Sequence, residues 1–184
     1  MELSKGEKLI LIMLCEIYEH LKIKNGTDAK FVQEAIYSGN LWGLEWKFPG
    51  IFDQIEPDPE VITEVTSILE MWSVIEASYK QLSAGDKAQI EKEAAPAGKF
   101  VEFPGFDGNQ EPWHLNVAVC LVQDLGRFAE FKSRDLNSHL PLLGGYKRML
   151  VRFTPLLRSM GSGFLSVDDL IALLKEQIAP DYTE

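Results

Sequence analysis

An all-α fold, a multi-helix bundle with one long ordered loop, is predicted by three observations. The clearest is an unbroken helical seam: Val61, Val65, Ile68, Trp72, Ile75, Tyr79 and Leu82 are spaced alternately four and three apart, which keeps every member on one face of a helix. The second is a capping pair, Ser4 with Glu7 three residues on, opening an apolar run. The third is the punctuation: Gly and Pro clusters separate the apolar runs. The 184 residues, 46% hydrophobic and 25% charged, suffice for one domain over 1–184, and they allow two helical lobes, 1–95 and 96–184.

Taken in order, the first helix starts at the Ser4–Glu7 box. Leu9, Ile10, Met13, Leu14, Ile17 and Leu21 form its stripe, widened by Leu11 and Ile12. So broad an apolar surface predicts burial on more than one side. Asn25-Gly26 is expected to end this helix, and a shorter one follows from about Asp28 to Ser38. Trp42 and Trp46, four apart between Gly39 and Pro49-Gly50, suggest a short helical turn pinned into the core. Asp58 then caps, and Pro59 opens, a helix running to Leu82. At 24 residues it is ~36 Å long. Ile62 and Leu69 broaden its apolar face beyond a two-stranded seam, which favours a bundle. Ser83-Ala84-Gly85 breaks it, and Asp86 is expected to cap a charged helix to about Ala95.

From Pro96 to Pro112 six Gly and Pro residues force a 17-residue loop. Loops of that length are either functional or disordered, and Phe100, Phe103 and Phe106 argue for order, with the loop wrapped across a helical surface. Val101 and Phe103 suit a short strand, but nothing obvious pairs with it. Helices are expected from Trp113 to about Phe131, from Leu140 to about Ser159 with a kink at Pro155, and from a Ser166 cap to about Ile178, with Asp168 and Asp169 at its positive end. Gly161-Ser162-Gly163 reads as a turn.

The net charge of −10 is unevenly laid out. Residues 1–125 hold 10 Lys and no Arg against 21 acids, whereas 126–158 hold Arg127, Lys132, Arg134, Lys147, Arg148, Arg152 and Arg158 against only Glu130 and Asp135. The favoured use of this block is docking onto the acidic first half, within a chain or between chains; the competing use is an anionic ligand. An acidic protein without a DNA- or RNA-binding motif makes nucleic acid an unfavoured partner. Cys15 and Cys120 lie in apolar runs without metal or redox spacing, so buried free thiols are expected. Leu9 to Cys15 follows two lysines in the manner of a signal peptide, but Glu16 and Glu19 interrupt it and no cleavage site follows. No apolar run approaches the ~18 residues of a membrane span. These features predict a cytoplasmic protein with no membrane association.

Two segments stand out: Phe103-Pro104-Gly105-Phe106-Asp107-Gly108-Asn109-Gln110-Glu111, and Asn137-Ser138-His139 followed by Tyr146-Lys147-Arg148-Met149-Leu150. With Leu3-Ser4 leading into Lys8-Leu9-Ile10-Leu11, the aromatic turn after Gly39, and Ile68-Leu69-Glu70-Met71-Trp72 with Ser78, they give the chain an order and spacing that resemble the YfbU-like family of bacterial proteins over roughly residues 3–177. The resemblance implies an all-helical fold, a division into two lobes and self-association. It brings no catalytic residues.

The candidate site residues are therefore weighed by chemistry. Glu111-x-x-His114 has the spacing of di-iron bundles, but a second copy is missing and Pro112 puts Glu111 at a helix edge; Glu111 reads better as a cap and His114 as a packed histidine. Asp107, Asn109 and Glu111 alternate like calcium-loop ligands, yet the glycine is misplaced and no twelfth-position glutamate exists; a turn closed by Asp107 and Asn109 is the simpler reading. Ser138 beside His139 lacks a nucleophile elbow. Asn137 or Ser138 is expected to cap the helix containing Pro141, with His139 holding the 103–111 loop. Arg148 and Arg152 share a helix face and, with Arg127 or Arg134, suit a phosphate or carboxylate; salt bridges to acidic residues are the weightier expectation.

The leading reading is thus a non-catalytic interaction or regulatory protein that self-associates, without metal or cofactor, working through the 103–111 loop and the 137–152 segment. The alternatives are a small-molecule enzyme or sensor with an anion held by Arg148 and Arg152, and a regulator touching nucleic acid through the 126–158 block.

Overall fold

A computed structural model describes residues 2–24, 26–52, 56–161 and 163–178. Among them it contains nine α-helices and no strand, an all-α fold. The chain divides into two compact units, Met1–Glu56 and Pro57–Glu184.

In the first unit, α1 (Lys5–His20) opens on the expected box: the Ser4 hydroxyl accepts the Glu7 N–H and the Glu7 carboxylate accepts the Ser4 N–H. It stops at a Leu21 cap, followed by Lys22 with a φ of 50°, earlier than Asn25-Gly26; Asn25 itself lies outside the described residues. Helix α2 (Ala29–Ser38) is capped by Asp28, whose other oxygen takes Lys47 Nζ at 2.6 Å, and ends at Gly39 with a φ of 75°. Two short helices follow, α3 (Trp42–Lys47) and α4 (Pro49–Phe52).

Two core expectations fail here. Trp42 and Trp46 meet edge to face, but they are 60% and 81% exposed, and it is Gly43 and Leu44 that turn inward. The α1 stripe is not buried either: Leu9, Ile10, Met13, Leu14, Ile17 and Leu21 are each more than half exposed. A helix packed along one side by α2 buries Cys15 and half-buries Leu11 and Tyr18; the opposite apolar face is left over.

The second unit is built on α5 (Pro59–Gln81), where Asp58 caps and Pro59 opens the helix as predicted. Val65, Ile68, Trp72 and Ile75 of the seam are fully buried, joined by Leu69 and Met71, so the helix is covered on more than one side. Ser83, not Asp86, is the cap of α6 (Ala84–Glu93); Asp86 is its reciprocal partner three residues on, and Gly85 sits inside the helix. Because α6 packs on the C-terminal helix and on the turn Ala97–Lys99, residues 57–95 belong with the C-terminal half of the chain, and the division falls at 56/57 rather than at 95/96.

Helix α7 (Pro112–Val119) continues only as a π turn, Cys120–Asp124, and does not reach Phe131. Gly126 and Phe128 take φ values of 64° and 52°, a left-handed geometry that a right-handed helix cannot propagate through. A 3₁₀ turn, Ala129–Phe131, then plants Phe131 in the core. Cys120 is exposed, against expectation, because Val117, Ala118, Leu121 and Val122 take the inward positions around it. Helix α8 (Leu143–Met160) starts beyond Pro141 and carries Pro155 in its interior. After Gly161 (Ser162 of the expected turn lies outside the described residues) comes α9 (Val167–Glu176), capped by Ser166 with Asp169. No helix among the described residues is long and apolar enough to cross a membrane.

Candidate functional site

The 103–111 loop is interior. Phe103 and Phe106 are buried, their rings 5.6 Å apart edge to face, and both lie within 6.0 Å of the Tyr146 ring of α8. Aromatic edges and faces in this arrangement add to the area they bury. Burial obliges the loop backbone to find partners, and the second segment supplies them. The Phe106 N–H donates to the Leu136 carbonyl at 2.9 Å and the Ser138 N–H to the Phe106 carbonyl at 3.1 Å, an isolated parallel bridge between Phe106 and Asn137. Val101-Glu102-Phe103 forms no strand; the bridge lies three residues later, at Phe106. Gly105 makes the approach feasible: its φ is 94°, and a Cβ there would lie 2.0 Å from the Leu136 carbonyl oxygen. Its own carbonyl accepts the Tyr146 hydroxyl at 2.8 Å. Burial, then the nearby charge of Glu111, holds that phenol well above its usual 10.

The polar candidates close this clasp. Asp107, only 2% exposed, accepts the Asn109 N–H at 2.8 Å. Glu111 does not cap its own helix with its side chain: one oxygen accepts the Asp107 N–H at 2.9 Å and the other the Leu143 N–H at 2.7 Å. It therefore fills the cap that Leu142 cannot provide for α8. Asn137 likewise caps nothing; its amide oxygen accepts from Gly108 N and His139 N, tying the loop down. His139 does not hold the loop. Its backbone sits at a φ of 54° and its side chain is 70% exposed, 4.0 Å from Asp135. Ser138 turns its hydroxyl to the Leu140 carbonyl.

The remaining candidates lie elsewhere. His114 is half-buried, with Nε2 2.9 Å from Glu64 on α5, whose second oxygen takes Lys147 of α8 at 3.1 Å. Arg148 donates to the Glu176 carbonyl at 3.0 Å, and Arg152 lies 3.7 Å from the same residue's carboxylate. Both arginines of α8 thus meet the end of α9 at one residue, Glu176. Arg134 closes both guanidinium nitrogens on Glu76 at 2.6 and 2.7 Å, and those hydrogen bonds hold its pKa above the usual value. Glu76 also accepts the Phe103 N–H at 2.8 Å. The basic block thus docks partly on the acidic first half, at Glu64 and Glu76, and partly on the acidic C-terminal segment at Glu176.

Glu64 and Glu76 are not evident as site residues from sequence. Glu76 carries a signal nonetheless: four residues after Trp72 and three before Tyr79, it shares the buried face, where a carboxylate must be paired. A third feature is hidden entirely. Lys80, Lys87 and Lys99 share a cavity of about 330 Å³ with Arg134, Glu76 and Glu102. They come from α5, α6 and the turn between 97 and 99, and only the fold brings them together. An apolar groove of about 460 Å³ runs between Phe100, Pro104, Leu140 and Ile178; none of the eight polar candidates lines it. Among the described residues, no three His, Cys, Asp or Glu side chains are grouped to hold a metal ion.

A helical unit on α5, with a buried Phe103–Glu111 loop clasped by 136–143, defines the class. The YfbU domain matches residues 1–174, and the chain belongs to that family.

Proposed function

We propose that this is a cytoplasmic, non-catalytic interaction protein that self-associates through its first unit. What carries the reading is where polar and apolar groups end up. Asp107, Glu111, Asn137, Arg148 and Arg152 each bond to backbone or side chains of their own chain, an arrangement suited to positioning helices. Meanwhile six large apolar side chains of α1 face outward, and exposed patches of that size mark interaction surfaces. The working surface is accordingly moved from the 103–152 segments, whose core residues are interior, to residues 1–56. Light scattering on the eluting full-length chain tests this: an assembly of two or more copies is expected, and a monomer at every concentration sinks the reading.

A second reading, a small-anion sensor, is favoured by one observation. Glu76 is already closed by Arg134 and the Phe103 N–H, so among the described residues Lys80, Lys87 and Lys99 line their cavity with one further acidic residue, Glu102. This transfers the anion site from Arg148 and Arg152 to the lysines. Calorimetric titration with pyrophosphate tests it. Salt-sensitive binding lost in Lys80→Ala/Lys99→Ala supports a sensor, and no heat in the parent protein removes it.

A further inference from the structure

One wall of the second unit is shared by two openings of different character. Residues 99–104 supply Lys99, Phe100 and Glu102 to the basic cavity of about 330 Å³, and Phe100, Glu102 and Pro104 to the apolar groove of about 460 Å³. Both volumes fall within the ~300–1,000 Å³ of small-molecule sites. The first is lined by Lys80, Lys87, Lys99 and Arg134 against two carboxylates, Glu76 and Glu102. Four cations and two anions leave two positive charges over, in a chain whose net charge is −10. Glu76 is neutralised by Arg134. Lys87 Nζ lies 5.2 Å from the centre of the Tyr79 ring, an attraction that orders an ammonium without cancelling its charge. Among the described residues, Lys80, Lys87 and Lys99 form no ion pair. Along the groove, Phe100 and Leu140 are 84% and 64% exposed, large apolar side chains left to water beside the buried Phe103.

We infer that the two openings form one site for a soluble single-chain phosphate monoester, its head among Lys80, Lys87 and Lys99 and its alkyl tail laid past Phe100 into the groove. The inference rests on the small-anion reading above and names the ligand class. Charge selects the head. A phosphate monoester carries close to two negative charges at pH 7, which matches the two positive charges left over; a carboxylate brings only one. Lysines suit such a head as point charges, able to meet phosphate oxygens without a fixed fork geometry. The groove selects the tail. Inorganic phosphate leaves Phe100 and Leu140 as wet as before, whereas an alkyl chain between them removes apolar area from water on both partners. Each methylene buried there strengthens binding about threefold to fourfold. The same head on a polar body, as in a nucleotide, sets hydroxyls and ring nitrogens against Pro104, Leu142 and Ile178, where they find no apolar gain and lose water. Phe100 stands where head and tail join, because it lines both openings.

The test is calorimetric titration of the full chain with octyl phosphate, methyl phosphate and pyrophosphate, the octyl ester kept below the concentration at which it forms micelles. Octyl phosphate is expected to bind at least ~30-fold more tightly than methyl phosphate. Phe100→Ser/Leu140→Ser alters two exposed side chains. It is expected to keep the helical circular dichroism and the pyrophosphate response while removing most of the octyl gain. Lys80→Ala/Lys99→Ala is expected to lose both esters. Equal affinities for octyl and methyl phosphate, with pyrophosphate bound, overturn the amphiphile and leave the small-anion reading standing. An octyl gain that survives Phe100→Ser/Leu140→Ser, or octyl binding indifferent to Lys80→Ala/Lys99→Ala, puts the ester on another surface, such as the exposed face of α1, and overturns the joint site. No heat with any of the three overturns both readings.

Discussion

Glu111 accepts the backbone N–H of Leu143 at 2.7 Å across 32 residues of sequence, and so caps a helix to which it does not belong. Leu142, the residue before α8, has no side chain able to do this. The other Glu111 oxygen holds the Asp107 N–H, so one carboxylate fixes both the loop and the start of the helix that crosses it. Glu111→Ala should therefore leave two N–H groups without their acceptor. A loss of about 2–3 kcal/mol is expected from the cost of orphaned buried donors. Glu111→Gln, which keeps one acceptor oxygen, should lose about half as much. Urea unfolding monitored by circular dichroism reads both, and equal losses for Ala and Gln would sink the two-acceptor account.

The pair Glu76–Arg134 makes a second prediction. Glu76 is 3% exposed and Arg134 24%, so the acid carries most of the desolvation. Arg134→Ala should destabilise by about 3 kcal/mol, because it strands a buried charge. Glu76→Leu/Arg134→Met should cost clearly less than the sum of its single changes. A double-mutant cycle that is additive within ~0.5 kcal/mol would show that the two side chains do not act as a unit.

Local pattern makes the helices legible. Ser4, Asp58 and Ser166 cap as their spacing predicts, and the Val65–Ile75 stretch of the seam is buried, because caps and periodicity depend on neighbours within one turn. What the sequence hides is nonlocal. Whether a broad apolar stripe meets its own chain or another is not written in its period, which is why the breadth of the α1 stripe predicts burial and the stripe is nonetheless exposed. The clasp is legible as a pair of unusual segments but not as a mechanism. Glu111 reads as a cap for the helix after it, and only the fold shows that it caps another. Arg148 and Arg152 share a face as expected, but their common partner, Glu176, lies on a helix whose docking no spacing reveals. The lysine cavity draws on three elements and has no sequence signal at all.

The cysteines provide a direct check of the α1 packing. Cys120 is exposed, whereas Cys15 is buried on the α2-facing side, where burial and then the charge of Glu19 raise its pKa. A raised pKa lowers the thiolate fraction that reacts at neutral pH. In the native protein one thiol per chain should react promptly with Ellman's reagent and the second only after unfolding. Cys120→Ser should abolish the fast phase. Two fast thiols would mean that α1 does not lie on α2 as described.

Tyr146 makes stability depend on pH in a way no surface tyrosine should. Its hydroxyl donates to Gly105 at 2.8 Å inside the aromatic cluster, and burial, then Glu111, holds its pKa well above 10 in the folded chain. An unfolded tyrosine ionises near pH 10. Below that value both states keep the proton and the group contributes no pH dependence. Above it the unfolded state loses its proton first, so stability falls with rising pH, by up to ~1.4 kcal/mol per unit, until the folded pKa is reached. Tyr146→Phe removes this dependence at the cost of one hydrogen bond and an orphaned Gly105 carbonyl, about 1–2 kcal/mol at neutral pH. The parent should therefore be the more stable protein at pH 7, and its advantage should shrink above pH ~10 and vanish about one unit higher. Urea midpoints of the two proteins from pH 7 to 11 decide it: a constant difference would mean that the Tyr146 phenol ionises as freely in the folded chain as in the unfolded one.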